Sequence, residues 1–225
     1  MPRFENWGRL PYEEAWNRQR ELVERRARDE IEDLVVFVEH PDPVVTLGRG
    51  ALREGGRERY VRRPDIPVFE IERGGLATYH GPGQLVVYPI FKLQGGPDSS
   101  FRGGIVRLIR TMEEWSIRWL KAQGLEAGRI EGKTGVWVPP ASSAGFDPAR
   151  AKKIASLGLA VRRWVSFHGM ALNLSTGLTP WTWLDPCGFD SAVMTDLASL
   201  GVPLKERDEI IEEFMRLWPE LGSDL

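Results

Sequence analysis

"RGGLATYHGPGQLVVYPI", residues 73–90, places four glycines and two prolines against strand-like runs. The run leading into it, "IPVFEIER" (66–73), and the run that leaves it, "QLVVYPIFKL" (84–93), are β-branched, aromatic and too short for helices. Between them, residues without a Cβ permit positive φ, so main-chain N–H groups can come close to a ligand carbonyl or phosphate. The same residues suit a plain hairpin connection, because Gly and Pro are ordinary turn formers. Arg73 and His80 at the two edges favour a ligand, and His80 is one of only three histidines.

Working outward, "DLVVFVEH" (33–40) predicts a buried strand ended by a turn at "HPDP", with His40 as a turn residue, and "PVVTLG" (43–48) predicts another. "PYEEAWNRQRELVERRARDE" (11–30) starts on a proline suited to a first helical turn and repeats apolar residues at Tyr12, Ala15, Trp16, Leu22 and Val23. "FRGGIVRLIRTMEEWSIRWLKAQG" (101–124) has Ile105, Leu108, Ile109, Met112, Trp115 and Trp119 at helical spacing and Gly124 as a stop. "GVWVPP" (135–140), "IASLGLAVRRWVS" (154–166) and "MALNLS" (170–175) predict strands, and "PLKERDEIIEEFMRLWPEL" (203–221) predicts a closing amphipathic helix. "PPASSAGFDPARAKK" (139–153) predicts a mobile loop. Strands and helices interleave irregularly and no period of about 20 to 50 residues recurs. The expectation is an α/β (α+β) fold, a mixed β-sheet flanked by helices, in one domain over residues 1–225.

A formal net charge of -2 over 225 residues argues against a general nucleic-acid or membrane-surface binder, which would carry a basic excess. No stretch reads as a secretory signal or a bilayer span, and a single Cys cannot form an internal disulfide, so a cytoplasmic protein is expected. "GRIEGKTG" (128–135) imitates a phosphate loop, but Gly128 stands one position too near Gly132 and a strand, not a helix, follows. No C-x-x-C or H-x-x-x-H occurs, so no metal site is expected.

Two further stretches carry chemistry. In "KKIASLG" Lys153 enters an apolar strand with Lys152 on the opposite face, where it must either reach solvent or work in a perturbed setting. In "WLDPCGF" the one cysteine, Cys187, sits between Pro and Gly on a turn, a placement that favours exposure and reactivity. A free thiol of pKa about 8.5 is about 3% thiolate at pH 7; an ammonium that lowered the pKa to about 6 would raise that fraction about thirtyfold. Lys153 is a candidate for that ammonium.

Taken in order, "RGGLATYHGPGQLVVYP", "GRIEGKTGVWV", "KKIASLGLAVRRWVSFHGMALN" and "DPCG" resemble the lipoyl(octanoyl) transferases over most of the chain. The resemblance implies a fold like that of the biotin and lipoate protein ligases. It implies transfer of an octanoyl group from acyl carrier protein to a lysine of lipoyl domains, in oxo-acid dehydrogenase complexes and the glycine cleavage H protein. Cys187 would carry the acyl group as a thioester and Lys153 would lower its pKa or exchange a proton with it. Arg73, Gly74, Gly75, Leu76, Ala77, Thr78, Tyr79 and His80 would line the substrate site with Ser156, Leu157 and Gly158 and with His168, Gly169, Met170 and Ala171. Exchange of a thioester for an amide runs downhill, so neither a cofactor nor a metal is implied.

His80 and Lys153 both remain candidates for taking the amine's proton, and His80 and His168 also fit plain structural roles. "RGALREGGRERYVRR" (49–63), with six Arg against two Glu, could meet an acidic carrier protein or be a solvated loop. Three other functions fit part of the pattern: an ATP-dependent lipoate ligase, a non-catalytic acyl- or lipoyl-domain-binding module, and a cysteine hydrolase.

Overall fold

The computed structural model describes residues 1–93, 104–141, 145–186 and 191–218. The strands are β1 (Arg3–Arg9), β2 (Leu34–Glu39), β3 (Val44–Leu47), β4 (Val68–Glu70), β5 (Ala77–His80), β6 (Gln84–Ile90), β7 (Gly128–Ile130), β8 (Lys133–Val138), β9 (Lys152–Arg162) and β10 (Val165–Asn173). The helices are α1 (Tyr12–Ala27), α2 (Arg49–Arg53), α3 (Gly56–Tyr60), α4 (Gly104–Ala122) and α5 (Arg207–Arg216).

Seven strands form one sheet in the order β1-β2-β6-β10-β9-β8-β7, with β1 parallel to β2 and every other neighbouring pair antiparallel. A smaller sheet, β4-β3-β5, holds the glycine-rich stretch on its edge strand. In β2 alternate residues serve opposite faces, as a period of two requires. Val35 and Phe37 join Trp115 and Trp119 of α4 and Phe214 of α5, while Leu34, Val36 and Val38 join Ala15 and Val23 of α1. Both faces are therefore covered, which is why β2 reads as a continuous apolar run and not as an alternation.

Several sequence expectations change here. β1 was not visible in "MPRFENWGR", because each of its residues is exposed or half-buried and no apolar pattern marks it. The run 154–166 is not one strand: β9 turns into β10 at Arg163 and Trp164, both at positive φ (52° and 64°) without the Asn or Gly that usually marks such a hairpin turn. The loop expected over 139–153 ends early, because Lys152 and Lys153 already pair with β8. The false phosphate loop is the β7–β8 hairpin. The basic stretch 49–63 folds into α2 and α3 instead of a loop. Residues 101–103 and 219–221 of the two expected helices lie outside the described residues, as do 142–144 of the expected loop.

Candidate active site

A cleft with about 460 Å³ of space, part of it open to solvent, lies where α1, β5, β6, β9 and β10 meet. Of the residues expected to bind substrate, Arg73, Gly75, Thr78, His80, Ser156, Leu157, Gly158, His168, Gly169, Met170 and Ala171 line it. Alternation along β5 explains part of the remainder. Thr78 and His80 face the cleft, whereas Ala77 and Tyr79 face the other way, into a cluster with Trp181 and Leu184. Leu76 packs on that same cluster, and Gly74 donates its N–H to the Leu159 carbonyl.

Tyr12, Ile71, Val86 and Tyr88 also line the cleft and were missed. As apolar or aromatic residues of ordinary helix and strand patterns, they carry no local sign that distinguishes a cleft wall from a core. With Leu157, Met170 and Ala171 they make the lining predominantly apolar.

Glycine matters here for two reasons. Gly75 takes φ +84°. Elsewhere the close neighbour is protein main chain: a Cβ on Gly48 would stand 2.6 Å from the Gly75 carbonyl, and one on Gly169 would stand 1.9 Å from the Val87 carbonyl. Gly48 and Gly169 thus let protein backbone approach protein backbone beside the cleft. Arg73 ties this wall down: its guanidinium donates to the Thr46 carbonyl at 2.6 Å, to Thr46 Oγ1 and to the Gly74 carbonyl.

All three histidines are buried. His40 is not a simple turn residue: its Nδ1 lies 2.8 Å from the Leu10 carbonyl and its Nε2 2.8 Å from the Tyr88 hydroxyl. A carbonyl can only accept, so Nδ1 donates and Nε2 receives the Tyr88 proton. Burial holds His40 at a pKa of about 4, and burial likewise pushes His80 well below the usual histidine value. Tyr12 stacks on His80 with ring centroids 5.6 Å apart. His168 is held at φ 56°, a strained position for a non-glycine residue within a strand, and its N–H donates to Gln19 Oε1 of α1. Burial lowers its pKa as well, while Glu72, 3.5 Å from Nε2, opposes that effect. Glu72, facing His168 and Arg20, is held at about 2. Among the described residues, buried Thr78 Oγ1 has no hydrogen-bond partner.

Lys153 is buried at 3% exposure, which excludes the plain surface lysine its position at a strand start would allow. Lys152, its neighbour, reaches the Ala192 carbonyl instead. Lys153 Nζ lies 5.5 Å from the centroid of the Trp137 ring, and its Cε occupies the space that a Cβ on Gly135 would need. Buried Glu113 accepts the Gly135 N–H at 3.0 Å and pairs with Arg110 and Arg129, anchoring that stretch of β8. Lys153 does not line the cleft; it lies three residues along β9 from Ser156, about 10 Å at strand rise.

Cys187 lies outside the described residues, but the chain on either side is placed. Leu184 bridges to Val61, the Asp185 N–H donates to the Tyr60 carbonyl, and Pro186 bridges to Ala77 of β5. On the far side Met194 bridges to Lys153, and the Thr195 N–H donates to the Lys153 carbonyl. Among the described residues no group of three or more His, Cys, Asp or Glu gathers as a metal site.

A mixed sheet with helices on both faces is a fold this chain shares with lipoate protein ligases. A chain from a structural analysis of a bipartite lipoate protein ligase and its E2 lipoyl domain from Thermoplasma acidophilum superposes with a TM-score of 0.66 at 20% identity, covering 98% of this chain and 83% of that one. A lipoate-protein ligase A bound with ATP superposes with a TM-score of 0.64 at 19% identity, over 98% and 85%. Residues 11–216 match the lipoyl protein ligase A/B catalytic domain, and the chain belongs to that family. Similar chains are an octanoyltransferase of Thermobifida fusca, 40% identical over 84% of this chain and 75% of its own length, and one of Bacteroides thetaiotaomicron, 38% identical over 96% and 92%.

Proposed function

We propose that the chain is an acyltransferase of protein lipoylation, working as one catalytic domain in the cytoplasm. It moves an octanoyl group from its thioester on acyl carrier protein to a lysine of a lipoyl domain, through a thioester on Cys187. The observation that carries this is the anchoring of the chain around Cys187: Pro186, immediately before it, pairs with the glycine-rich strand, and Met194, after it, pairs with Lys153. The octanoyltransferase relatives support the same reading.

In the first half-reaction the Cys187 thiolate attacks the carrier thioester, a new C–S bond forms as the old one breaks, and Lys153 protonates the departing thiolate. The apolar wall of Ile71, Val86, Leu157 and Met170 takes the acyl tail. In the second, a neutral lysine amine attacks the Cys187 thioester; the amide forms, the sulfur leaves and the amine's proton passes to it. Oxo-acid dehydrogenase complexes and the glycine cleavage H protein supply the lipoyl domains.

Intact mass after mixing with octanoyl carrier protein tests this: the wild type gains an octanoyl mass that hydroxylamine removes, and Cys187→Ser does not. Lys153→Ala gains it more slowly, with the pH profile of acylation moved upward. The solved ligase neighbours favour a second reading, ATP-dependent ligation of free lipoate. ATP-driven lipoylation surviving in Cys187→Ser would establish it, and release of free octanoate as the main product would mark a hydrolase.

A further inference from the structure

A chain of hydrogen bonds joins His80 to the main chain of Lys153 through the interior. His80 Nδ1 lies 2.8 Å from Gln84 Oε1. Gln84 Nε2 donates to the Tyr79 carbonyl at 3.1 Å and to Asn173 Oδ1 at 3.0 Å. Asn173 Nδ2 donates to the Thr195 carbonyl at 2.9 Å, and the Thr195 N–H donates to the Lys153 carbonyl at 3.0 Å. Gln84 and Asn173 are each 1% exposed.

Two main-chain carbonyls dictate every direction in this chain, because a carbonyl only accepts. Thr195 takes the amide nitrogen of Asn173, so the Asn173 oxygen faces Gln84. Tyr79 and that oxygen take the nitrogen of Gln84, which leaves the Gln84 oxygen for the imidazole. An amide oxygen donates nothing, so His80 carries its proton on Nδ1 and its Nε2 is a bare acceptor. The ring lines the cleft, and among the described residues Nε2 has no hydrogen-bond partner. Tyr12, His40, Arg73 and His168 surround the ring, and burial keeps it neutral.

We propose that His80 Nε2 accepts a hydrogen bond from the incoming lysine amine, and that Gln84 and Asn173 are positioning residues that hold His80 in this acceptor tautomer. The proposal rests on the acyl-transfer reading above. Accepting one amine N–H would leave the nitrogen lone pair free for attack on the acyl carbon. As the C–N bond forms and the C–S bond breaks, the amine's proton ends on sulfur and His80 keeps its own. The same tautomer rules out His80 as a donor to the oxyanion.

The tautomer is read on the wild-type protein labelled with 15N, using ring correlations assigned by comparison with His80→Gln. A protonated Nδ1 and an unprotonated Nε2 are expected; a protonated Nε2 would overturn the proposal. In single-turnover experiments on the octanoyl-enzyme, Gln84→Met and Asn173→Leu should slow transfer to a lipoyl domain, relative to acylation by octanoyl carrier protein, by about tenfold or more. Equal effects on both steps overturn it too, since a fold defect would strike both. If the wild type never takes up an octanoyl group, the acyl-transfer reading itself falls and this proposal with it. Normal uptake with an unchanged ratio of the two steps sinks the His80 proposal alone.

Discussion

Gly169 shows what a single residue decides in this site. A methyl group there would meet the Val87 carbonyl at 1.9 Å and Pro89 Cδ at 2.8 Å, and neither belongs to a side chain that can swing away. β10 would have to leave β6 beside the strained His168. Gly169→Ala is expected to cost about 3 kcal/mol, a fall of about 10 °C in melting temperature by calorimetry. A variant melting with the wild type would mean that the strands are not pressed together there. Cys187 and Lys153 belong to the same scale. Their residue types were readable as chemistry from the chain alone, whereas the burial of Lys153 against Trp137 required the fold.

At the scale of the element, β5 divides its residues by alternation. Thr78 and His80 turn to the cleft while Ala77 and Tyr79 turn to the cluster around Trp181. A motif read as a continuous stretch could not make that division. The α2–α3 segment is also an element in its own right. Arg57 and Arg59 stand exposed on α3, Arg57 donating to the Pro64 carbonyl and Arg59 to the Glu54 carbonyl. If this face meets an acidic carrier, Arg57→Glu with Arg59→Glu should raise the KM for octanoyl carrier protein about tenfold or more, with a weaker salt dependence. A KM unchanged from the wild type at low salt would assign the face to solvent.

For the whole molecule, the consequence of burying three neutral histidines is acid sensitivity. The folded His40 titrates at about 4 against an ordinary value of about 6.5, so between those pH values the unfolded chain binds a proton that the folded protein refuses. Stability is therefore full above about pH 6.5 and falls as pH drops toward 4, by about 3 kcal/mol for His40, with His80 and His168 acting in the same direction. Urea midpoints measured from pH 7 to pH 4 should fall accordingly, and His40→Gln should fall less steeply. Parallel curves for the two proteins would remove His40 from the explanation.

From its amino acids alone the chain determined a mixed sheet flanked by helices and a glycine-rich turn beside His80, and it marked a lysine and a cysteine as candidate reagents. These follow from local physics, namely apolar periodicity, turn chemistry and side-chain reactivity. Only the tertiary structure decided that Tyr12 and Tyr88 line the cleft, that His40, at the turn after β2, is buried between the Leu10 carbonyl and the Tyr88 hydroxyl, and that Gln84 and Asn173 form a hydrogen-bonded line to His80. Those assignments depend on hydrogen bonds and contacts between residues as many as 89 positions apart, which leave no periodic or local mark on the sequence.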